Sequence, residues 1–448
     1  MATAAVESRQ PSPLERFLRV FGEVRPGESA TVLLLFANLF LLLVGYYILK
    51  TVREPLILAT GGAEVKSYAA AGQALALMGF VPLYSWFSAR VDREKLVLGI
   101  TLFFILNVEL FFVGAKLAIP YLGVVFYIWV GIFSLATIAQ FWSYANDLYS
   151  RETGERLFAI IAVGATAGGP VGAKLAETMF RMKVSPYDML HVTAAILVVQ
   201  LALYWIVNRR ETLATAARPE ALAGSGGFAL VFRSRYLMLM ALILVTLNIV
   251  NTTGEYILGR SVVAHADALA AGDPSFQKES YIGEFYGGFN FAVTLLTFLV
   301  QAFVVSRIVS FFGIAGVVLF APLLSLGAYG IVAGGAAFAA LRWAKVFENA
   351  TDYSVTNTGK QMLWLPTTRD EKYKAKQAID TFFVRSGDLL SAGCVYLGTQ
   401  VLALDSIGFA RANVVLALAW LGAAWLLLRE QRRVVAVQGA SVAAPGVH

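Results

Sequence analysis

The sequence predicts an all-α, polytopic membrane protein whose twelve transmembrane helices form two pseudo-symmetric six-helix bundles. Three observations carry that expectation. Of 448 residues, 58% are hydrophobic and only 15% charged, and the mean hydropathy is +0.68; a soluble chain of this length needs more polar surface. Apolar runs recur along the whole chain, each close to the ~20 residues that cross a hydrocarbon core of roughly 30 Å. Between them, basic residues gather in alternate connections, the bias that orients helices in a bilayer.

Taken in order, the apolar runs place spans near 30–58, 66–88, 96–117, 119–148, 155–180 and 187–208, then 235–259, 280–305, 311–333, 336–361, 373–403 and 406–428. The connecting segments justify them in pairs. Segments 1–28, 89–95, 149–156, 209–235, 306–310, 360–376 and 429–448 hold 23 of the 36 Lys and Arg residues. The opposite connections hold only Lys66, Lys116, Arg181, Lys183, Arg260, Lys278 and Arg411. Both termini are therefore expected to be cytoplasmic, in the inner membrane of a bacterium.

The stretch 209–233, with ETLATAARPEALAGSGG at its heart, has the composition of a linker. The expected organisation is a cytoplasmic segment 1–28, a six-helix bundle 29–208, the linker 209–233, a second bundle 234–430 and a cytoplasmic tail 431–448. The halves echo each other, ILKTVREPLIL closing the first span and IVNTTGEYILG the seventh. Lys50 then matches Asn251, Thr51 matches Thr252 and Glu54 matches Glu255. Six helices plus six with repeat symmetry is the plan of major-facilitator transporters, whose substrate sites lie near the midplane between repeats.

Several chemistries are disfavoured. Cys394 is the single cysteine and three scattered histidines offer no metal cluster, so neither a disulfide framework nor a metal or cofactor is expected. The net charge of +7 is explained by loop residues obeying the orientation bias, and nucleic acid is not an expected partner. Residues 1–28 carry four arginines and three prolines ahead of an apolar run too long for a secretory signal. Ser143, Ser150 and Ser354 have no histidine on a neighbouring polar turn, so an enzyme is not expected.

Charges inside the hydrocarbon are costly and mark candidate sites. Lys50, Arg53 and Glu54 occupy one turn of span one; Arg53 offers a planar fork for phosphate or carboxylate, or the turn lies at the outer interface and snorkels. Lys345, Glu348 and Asp352 share a face of span ten at spacings of three and four. In span eleven Asp380 and Asp388 are eight apart, and Arg385 is three from Asp388. These two sets either line a cavity that binds an ion or proton, or lock the helices together as structural ion pairs. Glu109, Lys174, Glu177, Glu255 and Glu284 are scattered, and Lys174 and Glu177 can satisfy each other. In span five, GATAGGPVGA reads either as a hinge or as close helix packing.

Three segments then carry a resemblance: YYILKTVREPLIL, FWSYANDLYSRETGERLFA and NATDYSVTNTGKQMLWLPTTRDEKYKAKQAID. They resemble the ATP/ADP translocases of plastids and intracellular bacteria, a twelve-span, major-facilitator-like family that exchanges nucleotides. Arg53 and Glu54 stand at its Lys-Asp pair, and Phe141, Trp142, Ala145 and Asn146 at its Phe-Trp-x-x-Ala-Asn stretch, with Glu152 and Arg156 in place. Lys360, Gln361, Met362, Trp364, Leu365 and Pro366 follow its Lys-Glu-Met-x-Tyr-Ile-Pro run, ahead of Ala378, Ile379 and Asp380. The family relies on charges in four helices. Its first-helix lysine corresponds to Arg53, while its fourth- and seventh-helix glutamates fall near Val130 and Asn251. Its eleventh-helix lysine becomes Asp388, a reversal of charge.

The resemblance implies a secondary transporter with alternating access, exchanging ATP, ADP or another small organic anion, with membrane lipid as its other partner. The implied substrate contacts are Lys50, Arg53, Glu54, Asn146, Asn251, Lys345 and Arg385, with Glu348, Asp352, Asp380 and Asp388 as candidates for ion or proton coupling. The residues themselves leave two other readings open: a proton-coupled carrier of a non-nucleotide organic solute, and a membrane sensor or scaffold that moves nothing.

Overall fold

The computed structural model describes residues 24, 25, 27–88, 90–211, 226–368 and 370–443. The greater part of the expected 1–28 segment, residues 212–225 of the linker and the last five residues lie outside it. The described chain is helical throughout. Its α-helices are α1 (Ser29–Ser88), α2 (Arg93–Lys116), α3 (Leu122–Leu148), α4 (Arg151–Arg181), α5 (Asp188–Arg210), α6 (Gly227–Arg233) and α7 (Arg235–Gly272). They continue as α8 (Lys278–Leu299), α9 (Val305–Ala333), α10 (Phe338–Thr351), α11 (Asn357–Leu363), α12 (Lys376–Ala378), α13 (Val384–Tyr396) and α14 (Ser406–Ala443). Single π turns join several of these at Val300–Val304, Asp352–Thr356 and Ile379–Phe383.

Among the described residues, eight helices are long and apolar enough to cross a bilayer. Two of the eight are 60 and 56 residues long, about twice what one crossing needs. Each breaks once, at Gly62 (φ 70°) and at Gly313 (φ 61°), a left-handed conformation that glycine adopts without steric cost. Expected spans one and two, and eight and nine, are these halves. Spans ten and eleven fall short of the apolar criterion because polar residues and π turns interrupt them. The eight helices thus correspond to ten of the expected spans, and the helix ends differ. α7 runs to Gly272 rather than to 259 and α14 to Ala443 rather than to 428. No proline interrupts Arg260–Gly272 and alanine is frequent there, so nothing stops the helix at the membrane surface.

The chain forms two compact units. The first comprises Met1–Thr60, Gly79–Pro219 and Asp273–Thr294, and the second Gly61–Met78, Glu220–Gly272 and Leu295–His448. Each therefore takes in one segment from the opposite half of the sequence.

In the first unit, α4 lies close against α1. A Cβ added at Gly164 would come within 2.6 Å of the Phe36 carbonyl oxygen, and Gly168 and Gly172 stand in the same way against the carbonyls of Phe40 and Val44. Small residues four apart on one helix thus meet backbone four apart on the other. The glycines of span five serve close packing. A ring cluster of Phe104, Phe111, Phe126, Trp129 and Phe133 fills the space between α2 and α3, with edge-on centroid distances near 5.0–5.7 Å. In the second unit, α7 packs on α13 and α14, and α9 on α14, around Leu237, Met240, Leu244, Ile379, Ala424 and Leu427.

Candidate functional site

Each unit carries its own cluster of charges within bilayer-length helices. In the first, Lys50, Thr51, Arg53 and Glu54 occupy the turn of α1 that precedes Pro55. The proline has no N–H to bond the Thr51 carbonyl. Thr51 is held instead through its side chain, which donates to the Tyr47 carbonyl at 2.8 Å and accepts from Asn290 at 3.2 Å.

Arg53 Nε donates to Glu54 Oε1 at 3.0 Å, and its guanidinium lies 4.4 Å from the Tyr127 ring centre. Lys50 Nζ lies 5.1 Å from the Tyr47 ring centre. The Arg53 side chain is only 14% exposed, so it points inward rather than snorkelling to the interface. Two cations in one turn, each over an aromatic face, form a site suited to a planar, anionic ligand. Composition had not singled out Tyr47 or Tyr127; tyrosines at these positions look like ordinary core residues until the fold brings the cations over them.

Asn146 does not join this cluster. It is exposed and lies 19 residues beyond Tyr127 on the same helix, about 28 Å away at 1.5 Å per residue. Lys174 and Glu177 pair at 2.8 Å, and Glu177 also receives Arg181 at 2.7 Å. Arg181 reaches Glu284 at 3.1 Å. The scattered charges of spans five and eight thus form one partly exposed chain of ion pairs.

The second unit neutralises its charges more fully. Lys345 is 1% exposed; its Nζ donates to Glu348 Oε2 at 2.6 Å and to Asn251 Oδ1 at 2.9 Å. Glu348 also accepts from Tyr329 at 2.7 Å and Ser325 at 3.0 Å. Glu255 stands 3.7 Å from both Lys345 and Lys66 and accepts from Asn349 at 2.9 Å. Gly254 makes room for this arrangement, because a Cβ there would overlap Tyr329 Oη and lie 2.9 Å from Lys345 Nζ. Lys345 and Glu348 are therefore members of a buried, hydrogen-bonded ion network rather than free ligands of an open cavity.

Asp388 lies on α13 facing α7. Its Oδ1 accepts from Asn248 at 2.9 Å and from Thr252 at 3.0 Å, while Arg385 stands 3.6 Å from Oδ2. Asp380 is exposed and stays outside this group. The π turn Ile379–Phe383 adds a residue to one turn, so the eight-residue spacing does not return to the same face. Asp352 begins another π turn, with Lys360 at 3.9 Å.

The sequence is similar to known carriers. A family model described as "TLC ATP/ADP transporter" matches residues 8–121, the stretch that contains Lys50, Arg53 and Glu54. ADP,ATP carrier protein 1 of Chlamydia trachomatis serovar D is 23% identical over 64% of this chain and 60% of that protein. ADP,ATP carrier protein 2 of the same organism is 24% identical over 93% of this chain and 92% of that protein. The chain is similar to these ADP,ATP carriers. It spans about 60% of the length of the first of these carriers. Among solved structures, nucleoside transporter NupG aligns over 89% of this chain and 98% of its own at a TM-score of 0.65 and 13% identity. That likeness establishes the major-facilitator fold.

Against the family pattern, Arg53 keeps the cation of the first helix. Val130 is fully buried, so an apolar side chain suits its place. Asn251 spends its side-chain oxygen on Lys345. At Asp388 the reversed charge is met by two neutral donors and by Arg385.

Proposed function

We propose that this chain is a secondary transporter of a bacterial inner membrane that exchanges adenine nucleotides by alternating access, with both termini in the cytoplasm. The supporting observation is the Lys50–Arg53 turn, with its cations over Tyr47 and Tyr127, inside the segment that resembles the translocases. A nucleotide offers a phosphate chain for the guanidinium fork and a flat base for a ring. Arg53 is the anchoring cation, Lys50 its neighbour, and Glu54 orients the guanidinium through Nε. The sequence contains no Gly-rich nucleotide-hydrolysis motif, so transport is driven by solute or ion gradients.

Asp388 favours a refinement of this reading. With Arg385 beside it, the pair adds no net positive charge for a second or third phosphate. The preferred substrate is then the less charged nucleotide, ADP over ATP.

The test is uptake of radiolabelled ADP and ATP into proteoliposomes preloaded with ADP, beside empty vesicles. Uptake that requires internal ADP and falls about 100-fold in Arg53→Ala, the loss of one buried charge contact of ~3 kcal/mol, is expected. Absence of nucleotide uptake by monodisperse protein would overturn the reading and leave a carrier of another organic solute.

A further inference from the structure

A cavity of about 10 Å³ lies inside the second unit, lined by Asn251, Ser325, Glu348, Asp352, Thr356 and Trp420 among others. That is room for one water. Three buried polar atoms of its lining residues have no hydrogen-bond partner in the protein: Asp352 Oδ1, Thr356 Oγ1 and Trp420 Nε1. An indole nitrogen only donates, which argues against a bare metal cation and for a water that accepts from Trp420 and reaches Asp352 and Thr356.

The two carboxylates beside this cavity are held differently. Glu348 receives Ser325, Tyr329 and Lys345, all within 3.0 Å, so both of its oxygens are hydrogen-bonded within the protein. Asp352 Oδ1 receives no hydrogen bond, and Lys360 approaches only to 3.9 Å. An ionised carboxylate so placed lacks close compensation, whereas a protonated one supplies its own donor to the cavity. Asp352 also opens the π turn Asp352–Thr356, and isolated π turns within α-helices gather at functional positions.

We propose that Asp352 is a proton-binding site, reached through one water held by Thr356 and Trp420, and that proton binding there couples transport to the proton gradient. The step is simple: an O–H bond forms between the carboxylate and a proton delivered from the aqueous phase through the cavity water, and it breaks on release. The charged and titratable groups around Asp352 are Lys345, Glu348 and Lys360, all from its own helical run; α7 and α9 present the neutral Asn251 and Ser325 to the cavity. α14 presents Trp420, which does not titrate. Proton binding itself does not depend on the nucleotide reading; only the coupling does.

The test uses purified full-length protein without substrate, titrated from mildly alkaline to mildly acidic pH and followed by infrared difference spectroscopy of the protonated-carboxyl stretch. One carboxyl band should appear on acidification, vanish in Asp352→Asn and return in Asp352→Glu. Trp420→Phe, which keeps the carboxylate, should move the midpoint by about half a pH unit or more, as expected for loss of one hydrogen bond in the water bridge. An unchanged band in Asp352→Asn, or none in the unsubstituted protein, overturns the site. An unchanged midpoint in folded Trp420→Phe overturns the water link. In proteoliposomes, an inward proton gradient should stimulate uptake in the unsubstituted protein and not in Asp352→Asn. If uptake occurs but ignores the gradient, coupling is overturned while the nucleotide reading stands; if the band titrates and no nucleotide is taken up, the nucleotide reading and its coupling fall while the proton-binding site stands.

Discussion

The intramembrane charges of the two units use the same residue types and reach different electrostatic ends. In the first, Lys50 and Arg53 share one turn with a single carboxylate, and the cations lie over Tyr47 and Tyr127. In the second, Lys345 and Lys66 meet Glu348 and Glu255, and hydroxyl and amide donors occupy the remaining carboxylate oxygens. Buried, hydrogen-bonded ion pairs form a framework, while cations lying over ring faces present the geometry on which the proposed binding rests. Both look alike in the sequence as charged residues in apolar helices.

The comparison breaks most readily at Lys345. Replacing it with methionine leaves the buried Glu348 and the partly exposed Glu255 with less compensation and should destabilise the protein by about 3–5 kcal/mol. The double variant Lys345→Met with Glu348→Leu should recover much of that loss, because a matched apolar pair removes the stranded charge. Thermal unfolding in detergent reads both; a double variant no better than the single one would show that Lys345 is not part of a self-contained network.

A smaller effect sharpens the contrast from the other side. Asp388→Lys gives the second unit the cationic surplus it lacks, and should tighten ATP relative to ADP by roughly tenfold, about 1.4 kcal/mol. Competition of the two nucleotides for uptake measures this ratio, and an unchanged ratio would place Asp388 outside the phosphate path. The smallest effect is expected at Tyr127. Tyr127→Leu keeps the apolar bulk but removes the ring face from Arg53, about 0.5–1 kcal/mol, so KM for exchange should rise a few-fold while the melting temperature barely moves. A large loss of stability instead would mark Tyr127 as a packing residue.

Much of the fold was legible in the sequence. The apolar runs located the spans, and most of their ends fall within a few residues of the helices observed. The glycines of span five were recognisable as a special feature, but only the carbonyls of Phe36, Phe40 and Val44 opposite them distinguish close packing from a hinge. The site was legible in part. Lys50, Arg53 and Glu54 stand together as their spacing implied, whereas Asn146 lies too far along α3 and Asp380 turns away across a π turn. π turns carry little signal in composition, so a spacing argument that assumes a regular helix fails where they occur. Asn248 and Thr252, four apart on α7, carried a detectable pattern, yet their role depends on Asp388, which lies 136 residues from Thr252.

What the sequence determined by itself is the solvent of this protein, its helical class and its resemblance to the translocases. Transfer of apolar side chains into hydrocarbon adds up locally, residue by residue, and needs no knowledge of neighbours. What only the tertiary structure decided is which charges cancel. Lys345 and Asn251 lie 94 residues apart; whether they meet at 2.9 Å or face a cavity depends on how the helices pack. Coulombic and hydrogen-bond energies change steeply over those few ångströms.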